Sequence, residues 1–443
     1  LLKPLKHPAR LVPAAFFLAI LLGTALLALP ISRAGPGGAP LITALFTATS
    51  AICVTGLVVV DTATYWSGFG QAVILVLFQV GGFGIMSGAT LLGLLVSRRL
   101  RLSTRLVAQA ETRGLALGDI TAILRLVLLV TIVVEVAIAA ILALRLRATY
   151  GEPWPEAIWH GVFQSVSAFN NAGFASYSDS LMSFALDPVI LLPVMFGVVL
   201  GGIGMPVLHD FRREPRQPAR WSLHTKLTLA GTALLLPAGM LGTLAYEWSN
   251  PHTLGGLPPA GRLLGAAFHS VMARSGGFNA VDVGRMETET LALTYGLMLI
   301  GGGSAGTAGG IKVGTFMVLG LIVLAEVRGE RDSIAFGRRI CPTSQRQAVT
   351  IALLAVGMVG MATVALVSLT GLPLRDALFE TISAFATVGL STGVTPDLPP
   401  AAQSLVVFLM FVGRVGTITV ATALALRSRQ NPYRYPEERP IVG

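Results

Sequence analysis

The sequence predicts an all-α integral membrane protein made of four covalently linked helix–pore loop–helix repeats around a pseudo-fourfold central pore. Three observations predict it: an apolar composition, a short polar motif that recurs four times, and a second glycine landmark that follows each copy. Of the 443 residues 53% are hydrophobic and only 12% charged, with mean hydropathy +0.73. Soluble domains carry about a quarter charged residues, so this chain is read as polytopic. Windows 11–29, 71–96, 122–144, 189–208, 350–369 and 404–426 each approach the roughly 20 residues that a spanning helix needs. The first apolar run follows Lys3, Lys6 and Arg10 and continues at spanning length without a small-residue cleavage site, so no cleavable signal is expected.

The recurrence defines the elements. Aligned copies read FTATSAICVTGL from Phe46, FQSVSAFNNAGF from Phe163, FHSVMARSGGF from Phe268 and FETISAFATVGL from Phe379. The glycines in register are Gly56, Gly173, Gly277 and Gly389, separated by 117, 104 and 112 residues. Boundaries follow at 1–110, 111–217, 218–340 and 341–443. The second landmark starts at Gly81, Gly201, Gly301 and Gly413, which lie 25, 28, 24 and 24 residues beyond those glycines. Two landmarks in register exclude a chance likeness.

Each unit reads alike: a spanning helix, a Gly- and Pro-rich loop, a short amphipathic helix, a glycine turn, then an inner helix interrupted by small residues. A helix of about three turns cannot cross, so it descends part way and hands the chain to an irregular return. Such backbone survives in hydrocarbon only if it is buried in protein or lines a watery path. Ser50, Ser167 and Ser383, with Met272 in the third unit, lie toward the C-termini of these short helices, whose partial negative charge favours a cation just beyond. Turning carbonyls toward one axis requires backbone angles that glycine accepts without steric cost. Thr387-Val388-Gly389 matches the core of the carbonyl-lined filter of potassium channels.

Charge placement sets topology. The formal net charge is +10, and 22 of the 32 Lys and Arg fall in five short clusters at 3–10, 98–113, 212–226, 328–346 and 427–439. If these share one side, it is the cytoplasm and both termini lie there. The clusters are short and lack interleaved aromatics, so no nucleic-acid role is expected, while anionic lipid headgroups are secondary partners. Asp61, Asp179, Asp187, Asp282, Glu287, Glu289 and Asp397 fall on the opposite side, where they would concentrate cations or simply be solvated. Cys53 and Cys341 fall on opposite sides, so neither a disulfide nor a metal framework is expected.

The motifs SAFATVGLSTG (383–393), SAFNNAGF (167–174), ARSGGFN (273–279) and GGSAGTAGGIK (302–312) give the chain a plain resemblance to the membrane subunit of the Trk/Ktr/HKT family of potassium transporters, most closely its bacterial KtrB branch. The likeness runs over essentially the whole length. It implies a selectivity filter of Val54, Thr55, Gly56, Asn171, Ala172, Gly173, Ser275, Gly276, Gly277, Thr387, Val388 and Gly389. K+ would be held by the backbone carbonyls of Thr55, Asn171, Ser275 and Thr387, as transported ion, with no organic cofactor in this chain. All-glycine filters go with potassium in that family, whereas a serine at the first position goes with sodium preference in its plant branch. Filters two and three read NAG and SGG rather than TVG, so the ring is less regular than that of a tetrameric channel.

The third inner helix is the exception. GGGSAGTAGG at 301–310 has the composition to unwind a helix in mid-membrane. A phosphate-binding loop fits poorly, since no strand precedes it and the Gly-Lys-Ser/Thr ending is absent. The family resemblance implies an intramembrane gate of Gly302, Gly303, Ser304, Ala305, Gly306, Thr307, Gly309, Gly310, Lys312 and Arg414. A lone arginine deep in an inner helix is costly, which makes Arg414 a functional candidate in its own right. Arg274 reads as a brace for the third turn, and His160 and His269 as packed or hydrogen-bonded.

The resemblance further implies a homodimer seated on a cytosolic nucleotide-binding (ATP/ADP) regulatory ring of KtrA type, with the tail 431–443 at the dimer interface, in the bacterial inner (plasma) membrane. A sodium- or proton-coupled carrier of another cation or small solute is the alternative. Such carriers place carboxylates in mid-membrane and show twofold or inverted repeats. Here Glu135 is the clear intramembrane carboxylate. No activated nucleophile or His/Asp/Glu cluster suggests an enzyme.

Overall fold

In the computed structural model the described residues are 8–98 and 120–416. The basic cluster at 427–439, most of those at 3–10 and 98–113, and the tail 431–443 lie outside them. The chain begins with α1 (Pro8–Leu27), α2 (Leu41–Ile52) and α3 (Gly68–Arg98). It continues with α4 (Ile120–Tyr150), α5 (Trp154–Phe169), α6 (Pro188–Ile203) and α7 (Met205–Arg213). Next come α8 (Leu223–Glu247), α9 (Pro259–Met272), α10 (Thr288–Leu299) and α11 (Val313–Val327). The last are α12 (Pro342–Thr370), α13 (Leu374–Phe385) and α14 (Pro400–Phe411), which widens into a π-turn at Val412–Gly416.

Among the described residues three helices are long and apolar enough to cross a membrane alone: Arg125–Tyr150, Leu223–Glu247 and Pro342–Thr370. They head the second, third and fourth groups of elements, and they carry exposed apolar side chains such as Val136, Leu241 and Val364. A helix that shows lipid-sized apolar surface outward and packs inward on short helices is what a bilayer solvent demands.

The four short helices α2, α5, α9 and α13 share a build. Pro40, Pro153, Pro258 and Pro373 stand at their N-caps, where a fixed φ and a missing N–H do no harm. Phe46, Phe163, Phe268 and Phe379, which open the recurring motif, are fully buried. They anchor the C-terminal halves of the helices in the core, and Phe163 meets Phe78 of α3 edge to face at 5.5 Å.

The second glycine landmark has a packing cause. A Cβ on Gly81 would lie 2.1 Å from the Ile52 carbonyl oxygen, on Gly201 1.8 Å from that of Phe169, and on Gly413 1.8 Å from that of Phe385. These glycines let the inner helices cross the carbonyl ends of α2, α5 and α13. In the third group the same contact is made by the loop itself, since a Cβ on Gly301 would lie 1.8 Å from the Gly309 carbonyl oxygen.

Two features depart from the simple expectation. The window 189–208 is broken: α6 and α7 meet at a 92° bend at Gly204, whose φ of +97° favours glycine. A two-residue hairpin, β1 (Ile334–Ala335) paired with β2 (Arg338–Arg339), interrupts the all-α chain between α11 and α12. It turns through Phe336 and Gly337, both at positive φ, as a two-residue hairpin turn requires.

Candidate functional site

The four glycine turns adopt one backbone. Gly56, Gly173, Gly277 and Gly389 have φ of +92°, +70°, +77° and +95°. Two residues before each, Val54, Asn171, Ser275 and Thr387 also take positive φ, at +56°, +58°, +69° and +47°. Such angles cost on the order of 1–3 kcal/mol each for a non-glycine residue and persist only where the surroundings fix them. Val and Thr are β-branched, which makes Val54 and Thr387 outliers in their own right. Strain repeated at one register in four unequal sequences is a property of the site.

The turns touch in chain order and close on themselves. A Cβ on Gly56 would lie 2.9 Å from Gly173 Cα, on Gly173 2.9 Å from Gly277 Cα, on Gly277 3.5 Å from Gly389 Cα, and on Gly389 3.1 Å from Gly56 Cα. No side chain fits at any of the four. All four glycines line one cavity of about 290 Å³, together with Asp61, Asp179 and Asp282. Those three aspartates are the ones, of the seven acidic residues expected at a mouth, that border it. Asp187 is drawn elsewhere, into an ion pair with Arg145 at 2.8 Å.

Among the four residues expected to hold the ion, Thr55 stands in a different register from the other three. Thr55 is not equivalent to Asn171, Ser275 and Thr387: the matching residue, at positive φ and two before the glycine, is Val54. Thr55 aligns instead with Ala172, Gly276 and Val388. Carbonyl oxygens of this second layer approach the neighbouring glycines: Thr55 O faces Gly389, Ala172 O faces Gly56, and Val388 O faces Gly277.

Bracing differs among the turns. Gly56 N–H donates to Ser50 Oγ at 3.1 Å, and Gly389 N–H donates to Ser383 Oγ at 3.2 Å. Ser167 instead donates to the Phe174 carbonyl at 2.7 Å, and Gly277 N–H reaches the Met272 carbonyl at 3.3 Å. Beyond the fourth turn, Glu380 is fully buried and collects Ser391 Oγ, Thr392 N–H and Thr395 Oγ1 at 2.5, 3.1 and 2.8 Å.

Residues 300–312 are non-helical, as their glycine content predicts, and they lie against the second, third and fourth turns. Gly303 N–H donates to the Gly202 carbonyl at 2.8 Å and Thr307 N–H to that of Gly201 at 3.0 Å, which ties the loop to the end of α6. Three cations hold its carbonyls. Arg274 donates to Gly301 O at 2.9 Å, Lys312 to Ala308 O at 2.5 Å, and Arg414 to Thr307 O. Arg414 is buried, and its Nε and Nη2 have no hydrogen-bond partner among the described residues. Within the loop Gly302, Gly303, Gly306, Thr307, Gly309 and Gly310 are buried and Ser304 and Ala305 half-buried.

Two side chains join turns to loop. Thr307 Oγ1 donates to Asn171 Oδ1 at 2.6 Å, and Ser275 Oγ bridges the Thr387 carbonyl and the Gly309 N–H. Among the described residues no three His, Cys, Asp or Glu side chains group to hold a metal ion.

A family model for TrkH, described as a cation transport protein, matches residues 24–433. The chain belongs to the TrkH family of cation transport proteins. It is 39% identical over 436 residues to the Ktr system potassium uptake protein B of Bacillus subtilis, covering 98% of this chain and 97% of that one. Identity is 35% with the Vibrio alginolyticus protein of the same description, over 96% of this chain and 93% of that one. It is 34% with the potassium/sodium uptake protein NtpJ of Enterococcus hirae, over 98% and 97%. The crystal structure of the potassium transporter TrkH from Vibrio parahaemolyticus superposes with a TM-score of 0.69 at 17% identity, covering 94% of this chain and 85% of that one, so the fold is TrkH-like. Membership of the TrkH family makes the chain a membrane cation transporter and not an enzyme.

Sequence reasoning missed several buried polar groups. Glu135 is not alone as a buried carboxylate, because Glu247 and Glu380 are fully buried too. Both sit where serine, threonine, asparagine and backbone donors converge, which hydropathy windows do not register. Glu135 accepts from Gln79 Nε2 at 3.3 Å and Asn170 Nδ2 at 3.1 Å, behind the second turn. A signal existed: the residue after each motif phenylalanine, Thr47, Gln164, His269 or Glu380, is polar and buried in every copy. His160 and His269 are hydrogen-bonded to Ser176 and Thr294 at 2.8 and 3.0 Å. Cys53 and Cys341 are free.

Proposed function

We propose that the chain conducts potassium into the cell through a channel-like pore, with four linked repeats (1–110, 111–217, 218–340 and 341–443) around a pseudo-fourfold axis. The observation that carries this reading is the closed set of four glycine turns, alike in φ, around one cavity. Carbonyl oxygens there replace the hydration shell of the ion. The second-layer oxygens of Thr55, Ala172, Gly276 and Val388 join those of the register Val54, Asn171, Ser275 and Thr387 as ligands. Asp61, Asp179 and Asp282 concentrate cations at the mouth.

The loop Gly302 to Gly310, with Lys312 and Arg414, is the gate. It occupies the path below the turns and brings fixed positive charge there, which raises the barrier to a cation. Potassium as cargo is supported by the similarity to the potassium uptake proteins of Bacillus subtilis and Vibrio alginolyticus. A cytosolic nucleotide-binding ring of KtrA type, answering to ATP and ADP, would act on the basic segments, with the chain as a homodimer in the bacterial plasma membrane and both termini cytoplasmic.

Liposomes containing the purified chain test the reading. Potassium is expected to enter faster than sodium at equal gradients. Equal entry of both ions, or uptake that requires a proton or sodium gradient, would favour a coupled carrier.

A further inference from the structure

Ser275 holds two groups that the proposed function assigns to different tasks. Its Oγ donates to the Thr387 carbonyl oxygen at 2.7 Å and accepts from the Gly309 N–H at 2.9 Å. The first partner is a proposed potassium ligand of the fourth turn; the second lies in the gate loop. A serine hydroxyl has one proton and two lone pairs, so this assignment uses its single donor on the filter and an acceptor site on the loop. Ser275 is completely buried. Accepting the Gly309 N–H polarises the hydroxyl and strengthens its donation to Thr387.

The packing around the bridge is equally close. Thr387 Oγ1 is buried without a hydrogen-bond partner among the described residues, and a Cβ on Gly309 would lie 1.9 Å from it. Gly309 therefore sits directly against the fourth turn, and the loop cannot move without disturbing the Ser275 contact. A carbonyl that accepts a hydroxyl proton has less electron density to offer a cation.

We infer that Ser275 is a positioning residue that couples the gate loop to the coordination strength of the Thr387 carbonyl. The inference rests on the filter-and-gate reading above. With the loop in place, the hydroxyl is fixed on Thr387 O and the loop is held by the same atom. When the loop leaves, the hydroxyl loses its Gly309 donor and the carbonyl is released to the ion. Linkage then requires the reverse: an ion drawn to Thr387 O weakens the bridge and favours loop release.

The test measures potassium and sodium entry into liposomes carrying the full-length chain, in the intact form and with residues 303–309 deleted. Ser275→Ala, and Ser275→Gly as a second variant suited to φ +69°, are expected to raise potassium entry in the intact chain about fivefold, the worth of one hydrogen bond. Both should also change the potassium-to-sodium ratio. In the loop-deleted chain neither should raise entry further. Ser275→Thr keeps a hydroxyl in a register where Thr387 already tolerates positive φ, and should move entry back toward the unsubstituted value. Unchanged entry in the intact chain, or equal changes in both backgrounds, overturns the coupling. An unsubstituted chain that does not prefer potassium overturns the pore reading and the coupling with it.

Discussion

The first and fourth glycine turns can be set against the second and third. All four share the same backbone angles, yet Gly56 and Gly389 are pinned by serines of their own short helices, Ser50 and Ser383. The second and third turns instead reach down, Asn171 to Thr307 and Ser275 to Gly309. Equal geometry thus hides unequal support: the first and fourth glycines are pinned by a serine hydroxyl of their own short helices, whereas the second and third turns add side-chain ties to the loop proposed as the gate. A filter braced only from within would keep its shape whatever the loop does. One braced partly by the loop changes with it.

The largest expected effect comes from removing the loop. Deleting residues 303–309 takes away both side-chain ties and the obstruction, and potassium flux should rise by an order of magnitude or more. Unchanged or lost flux in a folded protein would count against the gate assignment. A smaller and more diagnostic effect is expected from a matched pair of variants. Thr307→Val leaves Asn171 Oδ1 without its donor, a cost of about 1–3 kcal/mol in the loop-bound state, and should raise flux several-fold. Ser383→Ala frees the Gly389 N–H and should lower the potassium-to-sodium ratio with no rise in flux. If the two variants behave alike, the division between locally and remotely braced turns fails.

The smallest effect lies outside both regions. Asp187 caps α6 through the Val189 N–H at 2.9 Å and accepts from Arg145 at 2.8 Å and from Tyr150 at 3.1 Å. Burial alone would push its carboxyl up, but these bonds and the Arg145 charge outweigh that and hold it below the usual carboxylate range. A depressed folded value means the stabilisation is complete above the unfolded value, about 3.9, and is lost only as pH falls through the folded one. Asp187→Asn should lower the melting temperature slightly between pH 5 and 8, leave the flux ratio alone, and converge with the parent in strong acid. Thermal unfolding across that range checks it.

Much of this was legible in the sequence, for definite reasons. Backbone constraints leave marks on sequence, so the four turn glycines could be placed from their spacing and the loop at 301–310 from its glycine content. Apolar length marked α4 and α12 for the same kind of reason. Side-chain ties left no such mark. Ser275 looks like a filter residue until Gly309 is seen against its hydroxyl, and Glu380 looks like an ordinary residue of an amphipathic helix until Ser391, Thr392 and Thr395 converge on it. The register of Thr55 has a simple source: the string VTG resembles TVG, although counting back two residues from Gly56 and Gly389 pairs Val54 with Thr387, and the positive φ of both agrees. The 92° bend after α6 was likewise hidden in a continuous apolar window.

The central claim is that the four glycines form one filter. Gly389 tests it most directly, because its φ is +95° and a Cβ there would lie 2.2 Å from the Thr55 carbonyl oxygen. Gly389→Ser must therefore displace a carbonyl of the first turn from the fourth. Potassium and sodium entry into liposomes should show a clear loss of potassium preference in this variant, with flux retained. Full selectivity in the folded variant would contradict the account.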